Sequence, residues 1–282
     1  MADPIEIPII KTPAPVGKLV KTLADFLKAS ERWHKKHARR QGGMLADLWY
    51  RGVNQHFDGQ APGVYRPSFT KRAESIVSND SIEGKRLRLE RDAISQFRSA
   101  GAAFLEGYSK AQIYFIAQHF GMPTRLLDWS TNPLAGLYFA CDGEDGKDGF
   151  VYMMDAKYVI PENAEVRPHK PLYRAVMTMR HALVEYAIGT SLWNTVDRDI
   201  LPHILPVRPD IIPGRIGQQS SVFTLHMHRA ASLENDTMST ICIDGGSKAA
   251  IRDELHRLNI NQFTTYYDLD HLSKEIRRGW GI

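Results

Sequence analysis

The amino-acid sequence predicts an α+β fold of mixed small sheets with flanking helices. Amphipathic stretches of helical period are interspersed with short apolar runs of strand character. They follow no regular βαβ repeat, and no G-x-G-x-x-G turn opens a helix, which argues against a doubly wound sheet. At 43% hydrophobic and 24% charged, the 282 residues have the composition of a globular chain that buries a core. At about 150 residues per domain, this length allows one or two domains.

The elements follow in order. Residues 1–15, with four prolines, are expected to form an extended arm. A helix is expected from Lys18 to His37, where Leu19, Leu23, Phe26 and Leu27 share one face and a basic run from Lys35 to Arg40 closes it. Leu45–Val53 has strand character, and residues 54–70, with two glycines and two prolines, resemble a loop. A second helix is predicted over Lys85–Phe104. Ser109 and Gln112 form a capping box for a third, which Gly121 ends. Asn132-Pro133 supplies an N-cap and a proline at the first helical position, opening a short apolar helix over Leu134–Ala140. Gly149–Met154 is a buried strand, Leu172–Ile188 a helix, and Val222–His226 an alternating strand after a turn. Ser239–Ile243 is a further strand and Ser247–Leu258 a further helix.

Several function classes are excluded by composition. Cys141 and Cys242 cannot build a disulfide framework and lack metal-ligand spacing. The N-terminus has no apolar secretory core, and no run of about 18 apolar residues occurs, so no membrane partner and a cytoplasmic location are expected. The net charge of +4 is unevenly spread: residues 1–130 carry 20 Lys and Arg against 13 Asp and Glu. That excess suits a phosphate-bearing partner such as nucleic acid, or simply a solvated surface. His226 and His228 would share a strand face and suit a metal, but with no third ligand nearby a surface pair is expected, and no metal. Trp49 and Trp129 are expected in the core.

The densest chemistry lies between Gln118 and Leu134, where His119, Arg125, Asp128 and several hydroxyls precede a new helix N-terminus. Such an N-terminus suits an anion, and Arg125 is suited either to pairing with Asp128 or to gripping a phosphate. A buried polar network pinning two helices fits the same residues.

This segment resembles the core of the FRG domain family, named for a Phe/Tyr-Arg-Gly triplet that stands here as Tyr50-Arg51-Gly52. The family's central His-x-Gly-x-Pro-Thr-Arg-Leu-Leu-Asp-Trp motif and its continuation match from His119 to Ala140. A later element matches from Arg215 to Phe223, with Ser221 in place of the usual glycine, and Tyr267 to Leu272 resemble the closing segment. The resemblance spans roughly residues 40–275, which implies an N-terminal arm and helix over 1–40 and an FRG domain over 41–282. It further implies an ADP-ribosyltransferase-like core with an N-terminal helical appendage, using NAD as substrate.

On that resemblance Arg51, His119, Asp128 and Gln219 are the expected catalytic residues. Arg51, Gly52, Tyr65, Thr124, Arg125, Ser130, Thr131, Asn132 and Tyr138 are expected to hold NAD. Arg51 and Arg125 would grip phosphate or ribose oxygens, Ser130 or Thr131 would orient Arg51, and Tyr138 or Tyr65 would stack on nicotinamide. His119 would bind ribose or act as a base. Gln219 stands where transferases of this class carry a glutamate, leaving Asp128 or Glu185 as sources of a carboxylate. The implied setting is a toxin of a toxin–antitoxin or phage-defence system, with an antitoxin partner and a nucleic-acid or protein acceptor. The alternatives are a non-catalytic nucleotide-binding or interaction module and an NAD glycohydrolase.

Overall fold

The computed structural model describes residues 10–11, 17–40, 47–55, 59–159, 165–166, 170–171, 176–189, 204–210, 220–227, 238–266 and 268–282. Their strands are β1 (Ile10–Lys11), β2 (Leu48–Val53), β3 (Gly59–Gln60), β4 (Leu126–Ser130), β5 (Gly149–Asp155), β6 (Glu165–Val166), β7 (Lys170–Pro171), β8 (Met177–Thr178), β9 (Ile204–Arg208), β10 (Ser221–His226) and β11 (Met238–Ile243). Their helices are α1 (Leu23–Arg40), α2 (Pro67–Glu74), α3 (Ile82–Ala100), α4 (Lys110–His119), α5 (Pro133–Cys141), α6 (Ala182–Gly189), α7 (Lys248–Arg257), α8 (Gln262–Tyr266) and α9 (Leu269–Trp280).

The α+β class holds, but the expected small sheets are mostly one large one. Seven strands join in the order β11-β5-β2-β4-β10-β9-β8, and only β8–β9 is parallel. Two-residue ladders, β1 with β3 and β6 with β7, stand apart. β2 pairs with β5 along its whole length, and β4 does the same with β10. Between β2 and β4, by contrast, a single pair is registered, Tyr50 with Ser130. The sheet therefore opens from Arg51 onward.

Alternation along the strands sorts the core into faces. Tyr50, Val151 and Met153 pack with Phe26, Leu137 and Ile251, so α1, α5 and α7 cover one end of the first face. Leu126 and Phe223 pack with Phe115 and Val184, so α4 and α6 cover the other end. Trp49, Leu127, Trp129 and Tyr152 occupy the opposite face, where Trp49 is fully buried and Trp129 nearly so, as expected of core residues.

The caps explain the best-delimited helices. Ser109 and Gln112 make both bonds of the capping box, and Asn132 Oδ1 accepts from Leu134 N at 2.9 Å, with Pro133 opening α5. Gly121, at φ +82°, follows the end of α4. α5 then lies directly on β2: a Cβ on Gly52 would sit 1.9 Å from the Gly136 carbonyl oxygen.

Other elements differ from expectation for identifiable reasons. α1 starts at Leu23 because Val20 bridges to Ile243, and Thr22 Oγ1 then caps the helix by accepting from Asp25 N. The loop expected over 54–70 contains the start of α2, with Pro67 at its first helical position. Within the helix expected over Leu172–Ile188, Met177 and Thr178 pair with β9, and among its described residues the helix begins at Ala182. β9, α8 and α9 have no counterpart among the elements expected from the sequence. No helix among the described residues is long and apolar enough to cross a membrane.

Candidate active site

The opening between β2 and β4 is where five of the predicted residues meet. With the ladder broken, the backbone carbonyl of Asp128 accepts instead from Arg51 Nη1 at 2.9 Å. The guanidinium thus spans the gap that the strands leave. A cavity of about 350 Å³ lies there, lined by Arg51, Gly52, His119, Asp128 and Ser130 from the predicted set. Gln118, Phe139, Ser221 and Tyr266 also line it. One wall comes from the end of α4 and the other from α5 and α8, so the cleft sits at the seam between the two helical packs.

A short relay fixes the carboxylate. Leu126 N donates to Thr124 Oγ1 at 3.0 Å, and that hydroxyl donates to Gln118 Oε1 at 2.5 Å. The chain of donors leaves the Gln118 amide to donate to Asp128 Oδ2 at 2.7 Å. Thr124, fully buried, accordingly acts behind the cleft rather than in it. Asp128 opens to solvent through the cleft, yet the protein packed around it pushes its carboxyl above the ordinary aspartate value, with Arg51 and the Gln118 bond partly offsetting. Burial lowers the Arg51 guanidinium from its ordinary value, Asp128 opposes the shift, and Arg66 adds to it. A guanidinium remains protonated nonetheless.

The far wall is aromatic. Phe139 meets Tyr266 edge-on at 5.7 Å, and Tyr266 stacks on His271 at 4.1 Å. Tyr266 also donates to Asp142 Oδ2 at 2.7 Å, which holds the ring upright against α5. Beside it Ser130 Oγ accepts from Asn132 N at 3.0 Å, while Thr131 N donates to Ser220 O at 3.1 Å. Ser220 has φ +49°, so the left-handed residue stands one position before Ser221. Asn132 and Thr131 thereby shape the turn into α5 without lining the cleft.

Three further predicted residues lie away from the cleft. Arg125 is 3% exposed and ion-paired through Nε with Glu90 Oε2 at 2.8 Å, and its Nη2 donates to Ala187 O. Burial disfavours its charge, but Glu90 and the phenols of Tyr114 and Tyr65 more than offset this and hold it above its ordinary value. Its ion-pair partner is thus Glu90, not Asp128, and it pins β4 to α3 and α6. Tyr65 is buried and donates to Glu83, which also accepts from Arg86 at 3.1 Å. Tyr138 lines a different cavity with Asp142 and Arg252, so the aromatic rings that do flank the cleft are Phe139 and Tyr266. Nothing in residue spacing distinguishes Phe139 from its neighbour Tyr138; the register of α5 against β2 does.

Gln219 and His228 lie outside the described residues. Glu185 is exposed on α6 and does not line the cleft, so Asp128 is the carboxylate among the described lining residues. His226 is not a surface residue: it is fully buried, with Nε2 2.9 Å from Thr224 Oγ1, which accepts from Trp129 Nε1. No group of three metal-ligating side chains occurs among the described residues.

Residues 46–149 match the family model of the FRG domain. The match includes the Tyr50-Arg51-Gly52 triplet and the whole His119–Ala140 motif, and it supports the FRG family. No curated protein and no solved structure matches the chain.

Proposed function

We propose that this chain is an ADP-ribosyltransferase-like enzyme that uses NAD as substrate and modifies a macromolecular acceptor. The toxin–antitoxin or phage-defence setting rests on the FRG resemblance alone. The observation that carries the reading is the parted sheet, where Arg51 spans to the Asp128 carbonyl in a cleft of about 350 Å³.

The donor set suits a dinucleotide. Arg51 offers a cation to phosphate or ribose oxygens, Ser130 and Ser221 offer hydroxyls, and Phe139 and Tyr266 offer ring surface to a planar base. NAD supplies an activated glycosidic bond, whose cleavage develops positive charge on the sugar as in glycoside hydrolysis. The carboxylate of Asp128 answers that charge, and Gln118 holds it in place. His119, which ends α4 and lines the cleft, is the candidate base to take a proton from an incoming acceptor.

The test is nicotinamide release by purified protein, with labelled NAD followed onto macromolecules in a lysate. Release and labelling are expected from the wild type and not from Arg51→Ala. Absence of both in the wild type contradicts an enzyme, and free ADP-ribose as sole product identifies water as acceptor. If ionised Asp128 is needed, activity falls as pH drops through its raised pKa, so the acid limb lies above that of an ordinary aspartate. Persistence of that limb in Asp128→Asn removes Asp128 from this role.

A further inference from the structure

The cleft does not end at Asp128. The hydrogen-bonded pair Gln118–Asp128 is also a wall of a second cavity, of about 560 Å³, beside the start of α2. Its far side carries Arg66, the extended N-cap residue of α2, together with Phe69 and Arg72, which stand three residues apart on one face of the helix. Both arginines are exposed and Phe69 is half-buried. The first turn of α2 has no acidic residue, and among the described lining residues Asp128 is the one carboxylate. The charge of Arg66 also reaches the cleft, acting on both Arg51 and Asp128.

An arginine–aromatic–arginine row along an open groove has a specific chemical meaning. Guanidinium forks take phosphate oxygens in pairs, and an aromatic face takes any unstacked base. A duplex hides its base faces and cannot use the ring. An acidic peptide uses the arginines and leaves the ring without a partner.

We propose that this groove seats single-stranded nucleic acid, with phosphates on Arg66 and Arg72 and a base on Phe69, and leads the strand toward Asp128. The role of that strand as acceptor rests on the transferase reading; its binding does not.

The experiment measures fluorescence anisotropy of labelled mixed-sequence single strands, DNA and RNA, titrated with the full chain in the absence of NAD. Wild type is expected to bind, more weakly as salt rises. Arg66→Glu with Arg72→Glu should weaken binding at least tenfold, and the milder Arg66→Gln with Arg72→Gln should weaken it in the same direction. Phe69→Ala should cost roughly five- to 150-fold, the range of one lost base stack. Lys21→Glu with Lys28→Glu, the same charge change on exposed positions just before and on α1, should bind as wild type. Equal weakening by the α1 pair, undiminished binding by the groove variants, or equal affinity for the duplex overturns the proposal. Groove-dependent binding without nicotinamide release supports the groove and sinks the transferase reading. Release and labelling of protein, with no strand bound, do the reverse.

Discussion

Arg51 and Arg125 both belong to the motif-bearing segment, and side-chain chemistry alone gives them the same phosphate-gripping capacity. The fold separates them through partners. Arg51 ends on a backbone carbonyl in an open cleft, whereas Arg125 ends on Glu90, where both side chains are 4% exposed. Glu90 lies 35 residues upstream on α3, so no spacing rule links the pair in sequence. Removing one member of a buried ion pair leaves the other charge unpaired and costs about 3–5 kcal/mol. Arg125→Ala is therefore expected to lower the urea midpoint strongly, whereas Arg51→Ala leaves it near wild type. If Arg125→Ala is as stable as wild type, the pinning role of the pair is wrong. Gln118 was legible only as a neighbour of His119; its function depends on Thr124 forcing the amide to face Asp128.

Helices α4 and α5 were legible because their starts are written in local chemistry, the Ser109–Gln112 box and the Asn132-Pro133 cap. Elements fixed by distant partners were not. β8 exists because it adds to β9, and Val20 leaves the helical period because it adds to β11. The early end of the expected loop was available in Pro67, a residue that favours the first helical position. Gly52 shows how a motif glycine acts at this scale. It lines the cleft, but its immediate constraint is the α5 backbone, because an added Cβ would fall 1.9 Å from Gly136 O and 2.6 Å from Ala140 N. Backbone cannot yield as a side-chain tip does, so Gly52→Ala should destabilise by at least ~1–3 kcal/mol, the cost of overpacking. A thermal or urea melt checks it. An unchanged melt would mean that α5 does not rest on β2 as described.

The whole molecule is organised around the place where its sheet parts. Two blocks, the antiparallel β11-β5-β2 and β4-β10-β9-β8, antiparallel except for β8–β9, meet at the single pair Tyr50–Ser130, each covered by its own helices. The α+β class followed from the absence of a βαβ repeat, but the merging of short strands into one sheet is a long-range property that periodicity does not encode. The basic excess of the first 130 residues acquires a location in the same way: Arg51, Arg66 and Arg72 line the cleft and the groove that continues it. On the proposed function, the parted sheet is a nucleotide site gripped by Arg51. Calorimetric titration of NAD into the wild type and Arg51→Ala tests it most directly. Saturable binding is predicted for the wild type, weakened about tenfold or more in Arg51→Ala, the scale of one lost charged hydrogen bond, with melting temperature unchanged. No saturable binding to the wild type, or equal binding to both proteins, would contradict it.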